Sequence, residues 1–338
     1  MRAVGYQTSL PIDDPLSLQD IELPTPEAKG HDLLVRVEAV SVNPVDTKVR
    51  RRAQPEAGQW KVLGWDAVGT VEAVGSEASR FRPGEQVFYA GAIGRPGTNA
   101  EYHLVDERIV GKKPASLSVA EAAALPLTAI TAWEALFDRL DIRKPVPGAT
   151  NAILIVGGAG GVGSIATQLA RRLTKLTVIT TASRPETAAW SRELGAHHVV
   201  DHGKPLAGEV ERLGLGAPAF VFSTTATDAH LAEIVKLIAP QGRFALIDDP
   251  AGLDVSPFKQ KSVSTHWEFM FTRSMFGTAD IAEQGRLLDE VARLVDEGTI
   301  RTTLAESFGS ITAANLRRAH ALIESGRAKG KIVLEGWG

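Results

Sequence analysis

Ile153-Leu154-Ile155-Val156 runs directly into Gly157-Gly158-Ala159-Gly160-Gly161-Val162-Gly163. The apolar, mostly β-branched run reads as a buried strand. Gly158, Gly160 and Gly163 then set out the spacing G-x-G-x-x-G at the mouth of an amphipathic helix, Val162 to Leu173. Glycine at these positions makes the turn tight, lets backbone N–H groups from Ala159, Gly161 and Val162 approach a pyrophosphate, and allows helix and strand to pack closely. The helix N-terminus adds partial positive charge. The stretch predicts a dinucleotide-binding βαβ unit.

Downstream the alternation continues. Leu176 to Thr181 reads as a strand, followed by a helix through Leu194. Then come Val199-Val200, Phe220-Val221-Phe222, a helix from about Leu231 to Ile238, Arg243 to Ile247, and a sixth strand from Ser262 to Phe271. A helix over Ile281 to Asp296, stopped by Gly298, closes a domain assigned to residues 128–299. The expected class is α/β, a doubly wound parallel sheet. Ligands of such sheets sit at the C-terminal strand ends, which makes Phe222-Ser223, Leu246-Ile247 and Phe271-Thr272 candidate contacts. About 20 residues past the last glycine, an acid would mark a ribose 2′-hydroxyl. The chain instead has Ser183-Arg184-Pro185-Glu186, a hydroxyl and a guanidinium suited to a 2′-phosphate and hence to NADPH. His202 follows the next strand and could join that phosphate pocket. Ser183 and Glu186 also have the spacing of a capping box, and both readings stand.

Upstream, about 110 residues are β-rich: Leu33 to Val40, Gly69 to Val74 and Gln86 to Tyr89 are short strands between turn signals such as Arg82-Pro83-Gly84-Glu85. A small barrel or sandwich follows. Ser118-Val119-Ala120-Glu121 is a capping box that opens a helical segment. Residues 300–338 add a helix, Ala313 to Ser325, and a strand, Lys331 to Leu334, that can return to the first domain, so residues 1–127 and 300–338 form the second unit.

Composition narrows the chemistry further. The chain has 338 residues, long enough for two cores, and its 37 basic and 40 acidic residues give a net charge of -3 without a single-sign run. A small-molecule partner is expected, with neither nucleic acid nor membrane. The N-terminus lacks a signal-peptide core and no uncharged apolar stretch reaches 18 residues, which points to a cytoplasmic protein. The absence of cysteine removes disulfides, thiolate nucleophiles and zinc sites built on sulfur.

Asn43-Pro44-Val45-Asp46, Gly64-Trp65-Asp66-Ala67-Val68-Gly69, Leu127-Thr128-Ala129-Ile130-Thr131-Ala132-Trp133 and the glycine stretch stand in an order that resembles the medium-chain dehydrogenase/reductase superfamily. Within it the chain looks like the quinone oxidoreductase branch, including bacterial zinc-type alcohol dehydrogenase-like proteins. The resemblance spans the whole chain. It implies a Rossmann cofactor domain, a GroES-like catalytic domain, nicotinamide in the cleft between them and a homodimer. It also implies hydride transfer to a quinone or an enone. Asn43, Asp46 and Thr128 would line the nicotinamide end, and Lys331 would reach the cofactor. A helix N-cap is the alternative for Asp46. The zinc-dependent members hold their metal through a cysteine, a histidine and a later cysteine or acid. Here those neighbourhoods carry Asn43, Trp65 and Leu127-Thr128, so no metal is expected. Trp65 and Tyr89 are either walls of an acceptor pocket or barrel core. An NADPH sensor or RNA-binding protein on the same fold is the competing reading, and a true zinc alcohol dehydrogenase a third.

Overall fold

The strand that runs into the glycine stretch, Thr150–Val156, is buried from Ala152 onward and lies inside a six-stranded sheet. The computed structural model describes Met1–Gly338 and divides into two units, Thr131–Met270 and Met1–Ile130 with Phe271–Gly338. In the first of these the sheet is wholly parallel. Its order is His198–Val200, Thr177–Thr181, Thr150–Val156, Pro218–Ser223, Arg243–Leu246, Ser264–Trp267. The chain winds outward from Thr150–Val156 in one direction and then crosses to Pro218–Ser223 to wind in the other. A switch point therefore lies between these two strands, where open α/β sheets bind ligands. Leu154, Val156, Val221, Phe244 and Leu246 bury one face of the sheet against Ile234, Leu237 and Phe258.

The sixth strand is shorter than its apolar sequence predicts. It ends at Trp267, after which the chain turns into a short helix, Thr272–Phe276, so Phe271 and Thr272 do not terminate a strand of this sheet. An apolar run can serve a strand and a buried turn alike, and its composition does not distinguish them. Ser183 and Glu186 form no capping box either. The helix Pro185–Glu193 takes Arg184 as its N-cap, because Pro185 supplies the preset first helical residue.

The other unit is built on a sheet that is antiparallel except at one edge, where Leu304–Ser307 runs parallel to Lys331–Glu335. Leu304–Ser307, Lys331–Glu335, Asp32–Val42, Ala67–Val74, Gln86–Tyr89 and Val110–Lys112 follow one another across it, with Tyr102–Asp106 also paired to Asp32–Val42. The C-terminal strand does return here, with Ile332 opposite Val42. A three-stranded sheet, Gln19–Glu22, Arg2–Tyr6 and Lys61–Val62, completes it. The Ser118 box forms as expected: the Ser118 hydroxyl accepts from Glu121 N–H at 3.2 Å while the Glu121 carboxylate accepts from Ser118 N–H at 2.9 Å.

The division falls at residues 130 and 271, where the sequence pattern places it at 127 and 300. Helix Ala282–Asp296 is the reason. Its stripe of Leu287, Leu288, Val291 and Leu294 packs on the barrel strand Val110–Lys112, and Asp289 accepts from Lys112 N–H at 2.9 Å and from Arg80 at 2.9 Å. Gly111 makes this approach possible, since a Cβ there would stand 2.5 Å from Leu288 Cβ. The helical run Val119–Arg139 has the length and apolarity of a membrane span, but 83% of its most apolar window is buried within the protein.

Candidate active site

In the parallel-sheet unit the glycine loop is shaped by contacts that only glycine allows. A Cβ on Gly163 would lie 2.2 Å from the Gly157 carbonyl oxygen, and one on Gly158 would lie 2.5 Å from Thr180 Cβ. Gly157 itself has φ +80°, a left-handed conformation that side chains disfavour. Thr181 fixes the loop from the neighbouring strand, its hydroxyl accepting from Gly157 N–H at 3.0 Å and its carbonyl from Gly158 N–H at 3.2 Å. Helix Gly161–Leu173 then starts at Gly160 with no side chain capping its first N–H groups. Unfilled donors at the end of a 13-residue helix, over a cradle that a Cβ would fill, are suited to a pyrophosphate.

Ser183 and Arg184 follow the end of strand Thr177–Thr181, and the Arg184 guanidinium pairs with Glu186 at 3.2 Å. His202 Nδ1 meets the Thr181 hydroxyl at 3.2 Å. The remaining strand-end candidates behave differently. Phe222 and Leu246 are fully buried, the Ser223 hydroxyl is spent on Thr227 at 2.8 Å, and the Ile247 N–H donates to the Ser223 carbonyl at 3.3 Å. A residue that sequence reasoning passed over is His230, on helix Thr227–Leu237, whose ring lies 6.2 Å from that of His202.

The barrel unit brings together residues far apart in the chain. Asp66 is fully buried, and three donors converge on its carboxylate: Leu127 N–H at 2.7 Å on one oxygen, and the Asn43 amide at 2.7 Å and the Lys331 ammonium at 3.0 Å on the other, with the Leu127 peptide held by the start of helix Pro126–Trp133. Lys331 also donates to the Val42 carbonyl at 3.0 Å and to Asn43 Oδ1. Asn43 caps helix Pro44–Arg52, and Asp46 reaches back to accept its N–H at 2.7 Å. Asp46 is thus the third helical residue rather than the cap. Burial pushes its carboxyl up to about 7, against the opposing pull of the Asn43 N–H and Lys331, and its second oxygen has no hydrogen-bond partner. Burial also raises the Asp66 carboxyl, with Lys331 as the strongest opposing influence.

Asn43, Asp46 and Lys331 are therefore assembled, with Asp66 as the hub that the sequence reading left without a role. Its signal was present in Gly64-Trp65-Asp66, within a motif already singled out. Lys331 does not reach outward, because all its hydrogen-bonding partners lie inside this cluster. Thr128 lies beside Leu127 and spends its hydroxyl on the Leu125 carbonyl at 3.1 Å. Tyr89 is core rather than pocket wall: it is fully buried, stacked 5.5 Å from His103, with its hydroxyl 3.1 Å from His103 Nδ1. Trp65 is buried as well, edge-on to Phe271 at 6.1 Å.

The parallel-sheet unit holds a second buried acid pair, Glu134 and Glu268. Arg139 donates to one Glu268 oxygen at 2.9 Å, and the other oxygen lacks a donor. Burial first, and the neighbouring Glu134 next, push Glu268 up to about 9.

Comparison with known proteins adds the family context. Residues 29–115 match the alcohol dehydrogenase GroES-like domain, and residues 194–334 match the zinc-binding dehydrogenase domain. A zinc-type alcohol dehydrogenase-like protein of Staphylococcus aureus is 38% identical over 336 residues, covering 99% of each chain. A quinone oxidoreductase of Pseudomonas aeruginosa is 30% identical over 91% of this chain and 92% of its own. A solved structure from Rhizobium etli CFN 42, named for the zinc-dependent alcohol dehydrogenases, is 68% identical with a TM-score of 0.98, covering 100% of this chain and 98% of that one.

The zinc in those names does not fit the residues present. Where sulfur or imidazole ligands would stand, the chain has Asn43 with its amide committed at both ends, Trp65 with its indole N–H on the Ala92 carbonyl at 3.3 Å, and Leu127 with only a peptide N–H. The oxygens that do converge already surround the Lys331 ammonium, which would repel a second cation.

Proposed function

The chain belongs to the medium-chain dehydrogenase/reductase superfamily, within its zinc-type alcohol dehydrogenase-like branch, and from that premise we propose an NADPH-dependent oxidoreductase that transfers hydride to a quinone or an α,β-unsaturated carbonyl compound without a catalytic metal. The observation that carries this reading is the pairing of an intact glycine cradle with a barrel cluster whose cation is a lysine.

The glycine loop, with Gly158, Ala159, Gly160, Gly161, Val162 and Gly163, would hold the pyrophosphate through backbone N–H groups and the helix terminus. Ser183 and Arg184 would hold the 2′-phosphate. Arg184 can exchange its exposed partner Glu186 for the phosphate at little cost, because surface ion pairs contribute about 0–1 kcal/mol. A bound reduced nicotinamide supplies the hydride. The barrel residues act by shape and proton placement. The Asp66–Lys331–Asn43 network holds the first turn of helix Pro44–Arg52 and the start of helix Pro126–Trp133 in one rigid frame, which fixes Thr128. Asp46 retains a proton up to about neutral pH. Without a Lewis acid the acceptor must be electrophilic already, as quinones and enones are, with its proton taken from solvent. A homodimer fits this reading.

The test is oxidation of NADPH and of NADH with 1,4-benzoquinone and a short enal, using wild type and Arg184→Ala. The expected result is turnover that favours NADPH, with the preference reduced about tenfold in Arg184→Ala, as loss of one charge-assisted contact predicts. Tight NADPH binding with no turnover on either acceptor class would replace this reading with that of a sensor.

A further inference from the structure

We propose that His202 and His230 form a proton-linked clamp for the nucleotide 2′-phosphate, so that discrimination between NADPH and NADH strengthens as pH falls from 8 toward 6. The inference rests on the reading above that this unit binds NADPH, and it adds His230 and a pH dependence to that site.

The geometry begins at Thr181. Its single hydroxyl receives the Gly157 N–H at 3.0 Å and contacts His202 Nδ1 at 3.2 Å, so one side chain joins the pyrophosphate loop to the imidazole. With Nδ1 engaged, Nε2 is the nitrogen left to meet a ligand. His202 follows strand His198–Val200, the outermost on that side of the sheet, while His230 comes from helix Thr227–Leu237, beyond the switch point. Their rings nevertheless approach to 6.2 Å with an interplanar angle of 57°. Arg184, at the end of the intervening strand, acts electrostatically on His202. A hydroxyl, a guanidinium and two imidazoles therefore gather at the strand ends where the acid of an NAD site would stand.

The charges facing the pair determine the sign. His202 is held below the ordinary histidine value by burial and by Arg184, against Asp201, which itself lies 3.8 Å from Lys204. His230 is held down by burial and by His202, against Asp248, whose carboxylate also accepts from Thr227 N–H at 2.8 Å. Both rings are thus neutral in the free protein near pH 7, which prevents mutual repulsion. A phosphate dianion set among them favours the protonated rings, so binding takes up protons, and affinity rises as pH falls. Without the rings the trend reverses. A phosphate monoester loses its second proton near pH 6, so Arg184 alone would bind the dianion less well as pH falls.

The test is calorimetric binding of NADPH and NADH at several pH values between 6 and 8, in buffers of different ionisation enthalpy, to wild type, His202→Asn and His230→Gln. Wild type should bind NADPH about tenfold more tightly at pH 6 than at pH 8 with net proton uptake, as uptake of one proton over roughly one unit of that range predicts. NADH affinity should stay flat. Each variant should unfold at the wild-type thermal midpoint, which shows it is folded, and should lose or invert the NADPH trend. A wild-type NADPH affinity that is flat or falls toward pH 6, or a rise that persists in both variants, overturns the clamp alone. NADPH binding no tighter than NADH at any pH overturns the cofactor reading and the clamp with it.

Discussion

The barrel unit and the parallel-sheet unit each hold a pair of interacting buried carboxyl groups, Asp46 with Asp66 and Glu134 with Glu268, but they place the compensating cation differently. In the barrel, Lys331 is as buried as Asp66 and lies 3.0 Å from it, so the ion pair is screened from water on both sides. In the parallel-sheet unit, Arg139 is 35% exposed while Glu268 is wholly enclosed, and the second acid, Glu134, is 3.9 Å from that same guanidinium. One cation is shared between two acids there, and a proton must make up the difference. The contrast shows that burial alone does not decide whether an acid is charged. The position and number of its donors do: Asp66 has three, Asp46 one, and Glu268 one with its other oxygen unpartnered.

The sharpest way to break this comparison is Lys331→Met, which leaves Asp66 buried without its cation. Urea denaturation at pH 7 should show a loss of about 3–5 kcal/mol. Adding Asp66→Leu should recover much of it. A loss below about 1 kcal/mol in the single variant would mean that the pair is not sealed from water.

Next in size is Glu268→Gln. A carboxyl whose folded value is raised from 4.5 to about 9 binds a proton when folded that it has lost when unfolded, so wild-type stability should fall as pH rises through that window. The slope is at most about 1.4 kcal/mol per pH unit. Glutamine cannot ionise, so the variant should flatten the slope and gain ~3 kcal/mol at pH 8. An infrared band of a protonated carboxyl, present in wild type at pH 8 and lost from the variant at that pH, would identify the proton itself. Equal pH profiles for the two proteins would refute proton sharing.

The smallest effect sharpens the boundary between core and site. Tyr89→Phe removes one buried hydroxyl from His103 and should cost about 1 kcal/mol. Its kcat and KM should stay at wild-type values, since Tyr89 is enclosed in the barrel. A changed KM for the acceptor would return it to the pocket wall.

The glycine loop was legible because its whole physical requirement is local: apolar strand, three spaced glycines and an amphipathic helix stand consecutively in Ile153 to Leu173. The Asp66–Lys331 pair was not, because the partners are 265 positions apart and each alone reads as a surface charge. Asn43 and Asp46 were found through one motif, while Asp66 stood in another, Gly64 to Gly69, which did not say that its acid faces inward. Helix Ala282–Asp296 displayed its apolar stripe plainly, yet a stripe does not name the surface it covers, and the helix fell to the barrel. His230 was silent because a half-buried histidine on a helix gains meaning only from the ring placed opposite it. Arg184 stands where an acid is absent, and in the structure it serves as the helix N-cap and pairs with Glu186, so the capping box that the same four residues also spell does not form.

The proposed hydride transfer runs with a lysine where relatives are named for zinc. It is tested most directly by measuring metal content and NADPH-dependent quinone reduction on one sample, purified in the presence of a strong chelator and assayed before and after zinc is added back. The expected result is no stoichiometric zinc and full turnover that added zinc does not raise. Zinc bound at one per chain, with activity that disappears on its removal and returns on its addition, would contradict it.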